Sequence, residues 1–438
     1  MKLALLFRRR WLWLYLPVLC LAALCLWLAV NVWLPLPPKT FVMASGVANG
    51  GVATGNYMAT VLRYRDVMEA RGIRVETITT DTASAPLQRL LKGNDEVHAA
   101  LALGMLAKPD MPKVSTIAAV ERHPVWIFTR AQGITQLAQL KGLRVTTDLQ
   151  GTPAWEVTQL LLQHAKLQPA DVNLIFKPAD IAVTDLIDGR SDALIMLASG
   201  DSDSVRRLTR TAGVQVIGIE RIASFTTRET RLKPFVLPQG AIELRGDIPS
   251  RDLAMAASHL HLVVSDSMHP ALQRALLDAA NEIHEMPSFL QRQGEFPNTR
   301  DVDFIPSPVA TAYSNSDRPW LEQVLPFWWA QLVQLIALAI IPILAMTLGL
   351  LFWIPSLFNW KVNAMLQNFY GELKFLETDI DPVASQRPIE IKSLLLRLDD
   401  IEAKVTMLDL PNSYANRWYT LREHLARARA KLLDLRAR

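Results

Sequence analysis

Two apolar runs, Trp11 to Leu34 and Phe327 to Ile354, stand apart from everything else in the chain because neither holds an Asp, Glu, Lys or Arg. Each exceeds the roughly 20 apolar residues needed to cross a hydrocarbon core, so both read as membrane-spanning helices. Lys2 and Arg8, Arg9 and Arg10 crowd the amino-terminal flank of the first run, whereas Lys39 is the first charge beyond it. By the positive-inside rule the amino terminus is cytoplasmic. The expected order is a basic flank over 1–10, a first span over 11–34, an extracytoplasmic segment over 35–326, a second span over 327–354 and a cytoplasmic tail over 355–438. A cleaved signal peptide has a shorter apolar core closed by a small-x-small site, so the first run reads as a signal anchor. Leucines precede both Cys20 and Cys25, where lipoprotein processing favours a small residue. Eight of the twelve tryptophans lie in or beside the two runs, as interfacial anchors do.

Between the runs, strand-length and helix-length apolar patterns alternate. Thr40 to Ser45 reads as a buried strand that enters the loop Gly46-Val47-Ala48-Asn49-Gly50-Gly51. A helix through Tyr57, Val61 and Met68 follows and stops at Gly72. Ile73 to Thr79 and Val97 to Leu103 read as strands around a helix over Ala85 to Leu91. Lys113 to Arg130 reads as two extended segments split by His123-Pro124. The alternation resumes with strands near Leu143 to Thr147, Val172 to Phe176, Ala193 to Ala198 and Val214 to Ile219, and helices over Ala154 to Ala165 and Ile181 to Ile187. Phe235 to Ile242 is then extended, with helices around Asp252 to Val264 and Pro270 to His284. The expected fold is α/β with parallel strands in two sheets, one lobe over 40–122 and 231–305 and the other over 123–230. Two crossovers between the lobes make a hinge and a cleft.

The tail is built differently. Val362, Leu366, Phe369, Leu373 and Leu376 are spaced 4, 3, 4, 3, and Leu394, Leu398, Ile401, Val405 and Leu408 repeat that spacing, as does the series from Tyr414 to Leu435. These are heptad seams of three helices packed as a bundle or coiled coil. Net charge is only +4 with both signs interspersed, so there is no nucleic-acid footprint. Both cysteines fall in the first run, which leaves the middle segment without disulfide or thiol chemistry.

The phrases Ile134-Thr135-Gln136-Leu137 followed by Leu140-Lys141-Gly142-Leu143-Arg144-Val145, and Leu186-Ile187-Asp188-Gly189-Arg190-Ser191-Asp192-Ala193, together with the order of elements, resemble a type-II periplasmic solute-binding protein. The Gly-rich first loop followed by Tyr57 is most similar to the TAXI family of TRAP-transporter solute receptors, in particular its membrane-anchored members. That resemblance covers residues 40 to 376 and implies a two-lobed fold that captures a small solute for permease subunits. This chain departs from the family at Thr82-Ala83-Ser84-Ala85-Pro86 and at Gln150-Gly151-Thr152-Pro153-Ala154, so the glutamate-like ligands of some members do not carry over.

Three helix starts offer unpaired backbone donors to a small anionic metabolite: Gly50 to Asn56, Thr82 to Ala85, and Gly151 to Ala154. The candidate ligand-binding set is Ser45, Gly46, Asn49, Gly50, Tyr57, Thr80, Thr82, Ser84, Arg122, Thr152 and Trp155. Each loop has an equally ordinary reading as a strand-to-helix turn with an N-cap. Arg122 and Arg130 sit on the crossover as partners for a carboxylate, and Glu156 as partner for an amine. His259 and His261, on the helix expected there, face different ways and make no metal site. No Gly-x-Ser-x-Gly, His-Glu-x-x-His or Walker loop is present, so an enzyme is not expected and no cofactor is implied. The alternative to transport is ligand sensing or scaffolding through the helical tail and a cytoplasmic partner. The topology has a direct check: an alkaline phosphatase fusion after residue 312 is expected to be active and one after residue 380 inactive, and activity at both would remove the second span.

Overall fold

The computed structural model describes residues 2–46, 57–80, 82, 84–93, 96–314, 320–380, 391–408, 410 and 414–437. The chain forms two compact units, one of Pro37–Leu332 and one that joins the residues up to Leu36 to Val333–Arg438.

In the first unit the strands are β1 Thr40–Gly46, β2 Arg74–Thr80, β3 Ala99–Leu103, β4 Val114–Thr129, β5 Arg144–Thr147, β6 Asn173–Phe176, β7 Ala193–Leu197, β8 Gln215–Val216, β9 Lys233–Leu237 and β10 Leu253–Ser265. They join into one sheet in the order β2-β1-β3-β10-β4-β7-β5-β6, with β8 on β4 and β9 on β10. The sheet is mixed, not parallel throughout: β10 runs antiparallel to β3, β4 and β9, and β4 antiparallel to β7. The two sheets expected from the sequence are merged because β4 and β10 are long enough to serve both halves. Residues 114–124 of β4 pair with β10, and Val125–Thr129 pair with β7.

Two readings of the sequence are corrected here. His123-Pro124 does not break the chain into two segments, since β4 runs through it. Pro124 falls where β4 exchanges β10 for β7 as neighbour, so its missing N–H interrupts no continuous ladder. Asp252 to Val264 is not a helix but β10. Its Ala, Leu, Met and His residues favour a helix in isolation, yet nearly the whole strand is buried between β3, β4 and β9, and that burial overrides propensity.

The helices of this unit are α2 Tyr57–Ala70, α3 Ala85–Lys92, α4 Pro153–His164, α5 Ala179–Ile187, α6 Asp203–Arg210, α7 Ile222–Arg228, α8 Pro270–His284, α9 Pro308–Ser314 and α10 Trp320–Val324; α1, Lys2–Leu28, precedes them in the chain. Alternate residues of each strand serve opposite faces of the sheet. One face carries a single apolar cluster from Phe41 and Met43 through Leu260 and Val125 to Val145, Leu161 and Ile195. The other face is split. Ala44, Ala100, Ala102 and Val263 belong to one cluster there, and Trp126, Phe128, Leu194, Met196 and Met255 to another. Phe235, Leu237 and Leu253 pack with the second cluster, so residues 233–255 side with the second half, past the boundary at 230 drawn from the sequence.

In the other unit, the helices α11 Phe327–Leu335 and α12 Ile341–Ile380 are joined by a π-helical turn over Ile336–Ile340. The segments Tyr15–Trp33 and Phe327–Trp353 are long and apolar enough to cross a membrane. Ala29 meets Leu335 and Ala339, so small residues let the two helices approach. Beyond the apolar segment α12 continues without interruption to Ile380, and α13 Ile391–Thr406 and α14 Ala415–Ala437 pack against it. The heptad positions form their core: Val362, Leu366, Leu373, Leu376, Leu398, Ile401, Val405, Leu421, Leu425 and Leu432 are all buried. Trp418 donates to the Val405 carbonyl at 2.9 Å across that seam. Leu421 is fully buried, so Leu421→Asp is expected to cost the bundle about 3–5 kcal/mol through lost packing and an unpaired buried charge. Loss of helical circular dichroism in the full chain checks it, and an unchanged spectrum and melt would contradict the seam.

Candidate functional site

The free edge of β4 sets up the site. Beyond β10 in the first half, β4 has no full strand beside it until β7 begins at Val125, leaving a notch next to Glu121, Arg122 and His123. One side of the notch is α2, which presents Ala59, Thr60 and Arg63. The other is the turn Ser199-Gly200-Asp201-Ser202 that ends β7 and opens α6, and residues Met286 to Gln291 after α8 form a third wall. The partly open cavity is about 440 Å³, within the size range of small-molecule pockets.

Its floor is a buried polar network. The Ser199 hydroxyl donates to the Glu121 carboxylate, and the other oxygen of Glu121 lies 3.6 Å from His123 Nε2. Tyr57 stacks on His123 at 5.6 Å between ring centres, with its hydroxyl 3.4 Å from Nδ1. Burial on its own would raise the Glu121 pKa, but His123, the Ser199 hydrogen bond and His284 outweigh it and hold the carboxyl at about 2. Glu121 is therefore ionised, and a quarter of its side chain stays exposed at the notch. Burial pushes the Tyr57 phenol up, which keeps it neutral. Arg63 donates to the Ile283 carbonyl at 3.2 Å, the one hydrogen bond of its guanidinium among the described residues. Arg206, by contrast, is paired with Asp203.

Of the residues picked from the sequence, Arg122 lines the notch, but its guanidinium is already engaged. It donates to the Leu290 carbonyl, pairs with Glu295, and lies between the rings of Phe235 and Phe296 at 5.3 and 5.6 Å. It therefore positions the chain after α8 instead of offering free donors. Tyr57 sits behind Glu121, under the floor. Ser45 and Thr80 are buried, and Thr80 Oγ1 donates to the Ser45 carbonyl at 3.1 Å. Gly46 ends β1, while Asn49 and Gly50 lie outside the described residues. Thr82 and Ser84 bond each other at 3.4 Å, and Ser84 makes no side-chain cap on α3. Thr152 caps α4, accepting from the Trp155 amide at 3.3 Å, and the buried indole N–H of Trp155 has no acceptor among the described residues. Arg130 donates to the Ile187 carbonyl, and Glu156 pairs with Arg231 at 2.8 Å. The structure thus separates the α3 and α4 starts from the notch, and brings to it Glu121, Ser199, Arg63 and His284, which sequence reasoning missed. A signal was present: Glu121-Arg122-His123 is a charged triplet inside an otherwise apolar strand.

No protein-family model matches the sequence, and no curated protein does. Solved structures similar to this chain include the periplasmic aliphatic sulphonate binding protein SsuA from Escherichia coli, with TM-score 0.37 and 12% identity over 72% of this chain and 84% of that one. An ancestral arginine-binding protein bound to arginine gives TM-score 0.34 and 14% identity over 56% and 92%. The VFT2 domain of Bordetella pertussis BvgS, as a double mutant, gives 0.34 and 15% over 59% and 90%. The first two are binding proteins by name, and at these scores none of the three assigns a ligand or a site residue to this chain.

The buried histidines give this unit an acid limit. Burial lowers His259 to about 4, His261 to about 3 and His284 to about 4. Each folded value lies below the unfolded one of about 6.5. Their contribution to stability is therefore complete above about pH 6.5 and is lost as pH falls toward 4, at up to about 1.4 kcal/mol per pH unit for each group. Asp303, which burial raises to about 6, works in the opposite sense between pH 6 and 4 and offsets one of the three. Thermal melts of the full chain from pH 7 to pH 4 should show a falling midpoint for this unit, with a shallower slope in His284→Gln; a flat profile would contradict the neutral buried state.

Proposed function

We propose that residues 37–332 form a membrane-tethered, extracytoplasmic solute receptor of the type-II periplasmic binding-protein kind that holds a small anionic metabolite in the notch. The observation that carries this reading is the pairing, in one cavity between the two halves of the sheet, of a largely unengaged Arg63 with an ionised Glu121 held by Ser199. Arg63 supplies a planar set of donors that matches a carboxylate or sulphonate, and Glu121 turns the anionic group toward Arg63 and accepts from a hydroxyl or amine at the other end. The protein binds and does not transform its solute. Ser199 is no nucleophile in this reading, because a carboxylate held at about 2 is a poor base for a hydroxyl.

As a TAXI-like receptor of a TRAP-type transporter it delivers solute to separate permease subunits, with both termini cytoplasmic. Two spans without acidic or basic residues make a poor translocation path by themselves. A sensing role, exerted through a cytoplasmic partner of the tail, has its own support in the uninterrupted α12, which leads from the second span into the three-helix bundle. The test is a thermal-shift screen of the full-length protein in detergent against small carboxylates, sulphonates and amino acids, since a ligand that binds only the folded form raises its midpoint. A hit is expected to weaken about tenfold or more in Arg63→Gln. Hits that are indifferent to Arg63→Gln and Glu121→Gln would move the site elsewhere.

A further inference from the structure

The chain after α8 does something unusual on the split face of the sheet. Leu290, 8% exposed, is a member of the second apolar cluster. Phe296, 2% exposed, meets His259 edge-on at 5.2 Å in the gap between the clusters, and Phe304 belongs to the first cluster and meets His261 at 5.2 Å. The segment 286–304 is therefore a strap fastened to both halves. It is also stitched to the edge of β4, where Ala119 and Asn298 exchange two backbone hydrogen bonds of 2.8 Å. Hinge opening on this face would have to withdraw those apolar anchors, while the opposite face is one continuous core.

The first part of the strap is held differently. Met286 to Gln291 form a wall of the notch, with Met286 71% exposed. Apart from Leu290 in the second cluster and Phe289 packed against it, their fastenings are polar: the Gln291 side chain donates to the His284 and Met286 carbonyls at 2.9 Å each, and Arg122 donates to the Leu290 carbonyl while pairing with Glu295. Gly200 leaves the seat for this part, since a Cβ there would overlap Leu290 and Phe289.

We propose that the strap segment Met286–Gln291 is the gate of the notch, with Arg122 as its latch, and that solute enters by release of this segment while the two halves stay together. The proposal rests on the notch being the solute pocket, but its test does not need the solute. In the full-length protein, Cys20 and Cys25 are replaced by Ser, Ala59→Cys places one thiol on the notch wall, and its rate of modification by the small anionic reagent 2-sulfonatoethyl methanethiosulfonate is measured. Arg122→Gln and Glu295→Gln, two independent ways to release the latch, are each expected to raise that rate at least tenfold. Hydrogen exchange in the same variants should quicken at residues 286–295 and stay unchanged along β4 and β10. Rates within twofold of the parent in both variants would overturn the gate. So would a faster rate accompanied by equal loss of protection in β4 and β10, because access would then come from parting or unfolding of the halves. Failure of every compound in the thermal-shift screen would instead count against the receptor reading and leave the gating result standing.

Discussion

Everything in the unit Pro37–Leu332 depends on the antiparallel ladder between β4 and β10. The pair Ser258 with His123, and Ala257 with Pro124, lies near the middle of the sheet, and each strand continues past the other's partners into both halves. Because side chains alternate across a strand, this one ladder supplies a shared core on one face and two separate cores on the other. The notch opens at the edge of β4 where its neighbour changes from β10 to β7. The polar residues of the unit collect where the apolar clusters part: Arg122, His259, His261 and Asp303 on the split face, and Glu121 with His123 at the β4 edge.

Some of those buried groups are satisfied by neighbours, whereas neither ring nitrogen of His259 has a hydrogen-bond partner. His261 Nε2 accepts from the Asp303 amide at 3.1 Å while Nδ1 lies 3.1 Å from the His259 carbonyl, an arrangement that fits one neutral tautomer. Gly104 leaves room for the Asp303 carboxylate, which a Cβ would displace. Lys233 sits 2.9 Å from Asp301 and 3.4 Å from Asp303, so the charge of this corner is largely balanced within it.

How much of this was legible in the sequence depends on whether the signal was local. Helices such as α2 and α8, and the heptad seams from Val362 to Leu432, announce themselves by period, and the structure buries the residues that the period selects. Strand β10 does not, because its composition is helical and only its neighbours make it a strand. The site was harder still. Helix starts with small polar residues are recognisable one at a time, whereas the notch is assembled from β4, α2, the turn after β7 and the segment after α8, none of which carries a motif. Arg122 was singled out for a ligand carboxylate, and the carboxylate it meets in the structure is Glu295 of the same chain.

The helix α12 has a consequence of its own. Its 40 residues, at about 1.5 Å rise each, make a rod of about 60 Å that is apolar at one end and part of a heptad seam at the other. Along an unbroken helix the azimuth of every side chain is fixed by its position in sequence, about 100° per residue. The direction in which Val362 and Leu366 face is thus locked in phase with the faces of the apolar stretch that opens α12. A length polymorphism of one residue between Trp353 and Val362 would turn the whole seam by that angle, while one of seven would nearly restore it. An insertion or deletion in this stretch would therefore disturb the seam more than the exchange of one helix-forming residue for another.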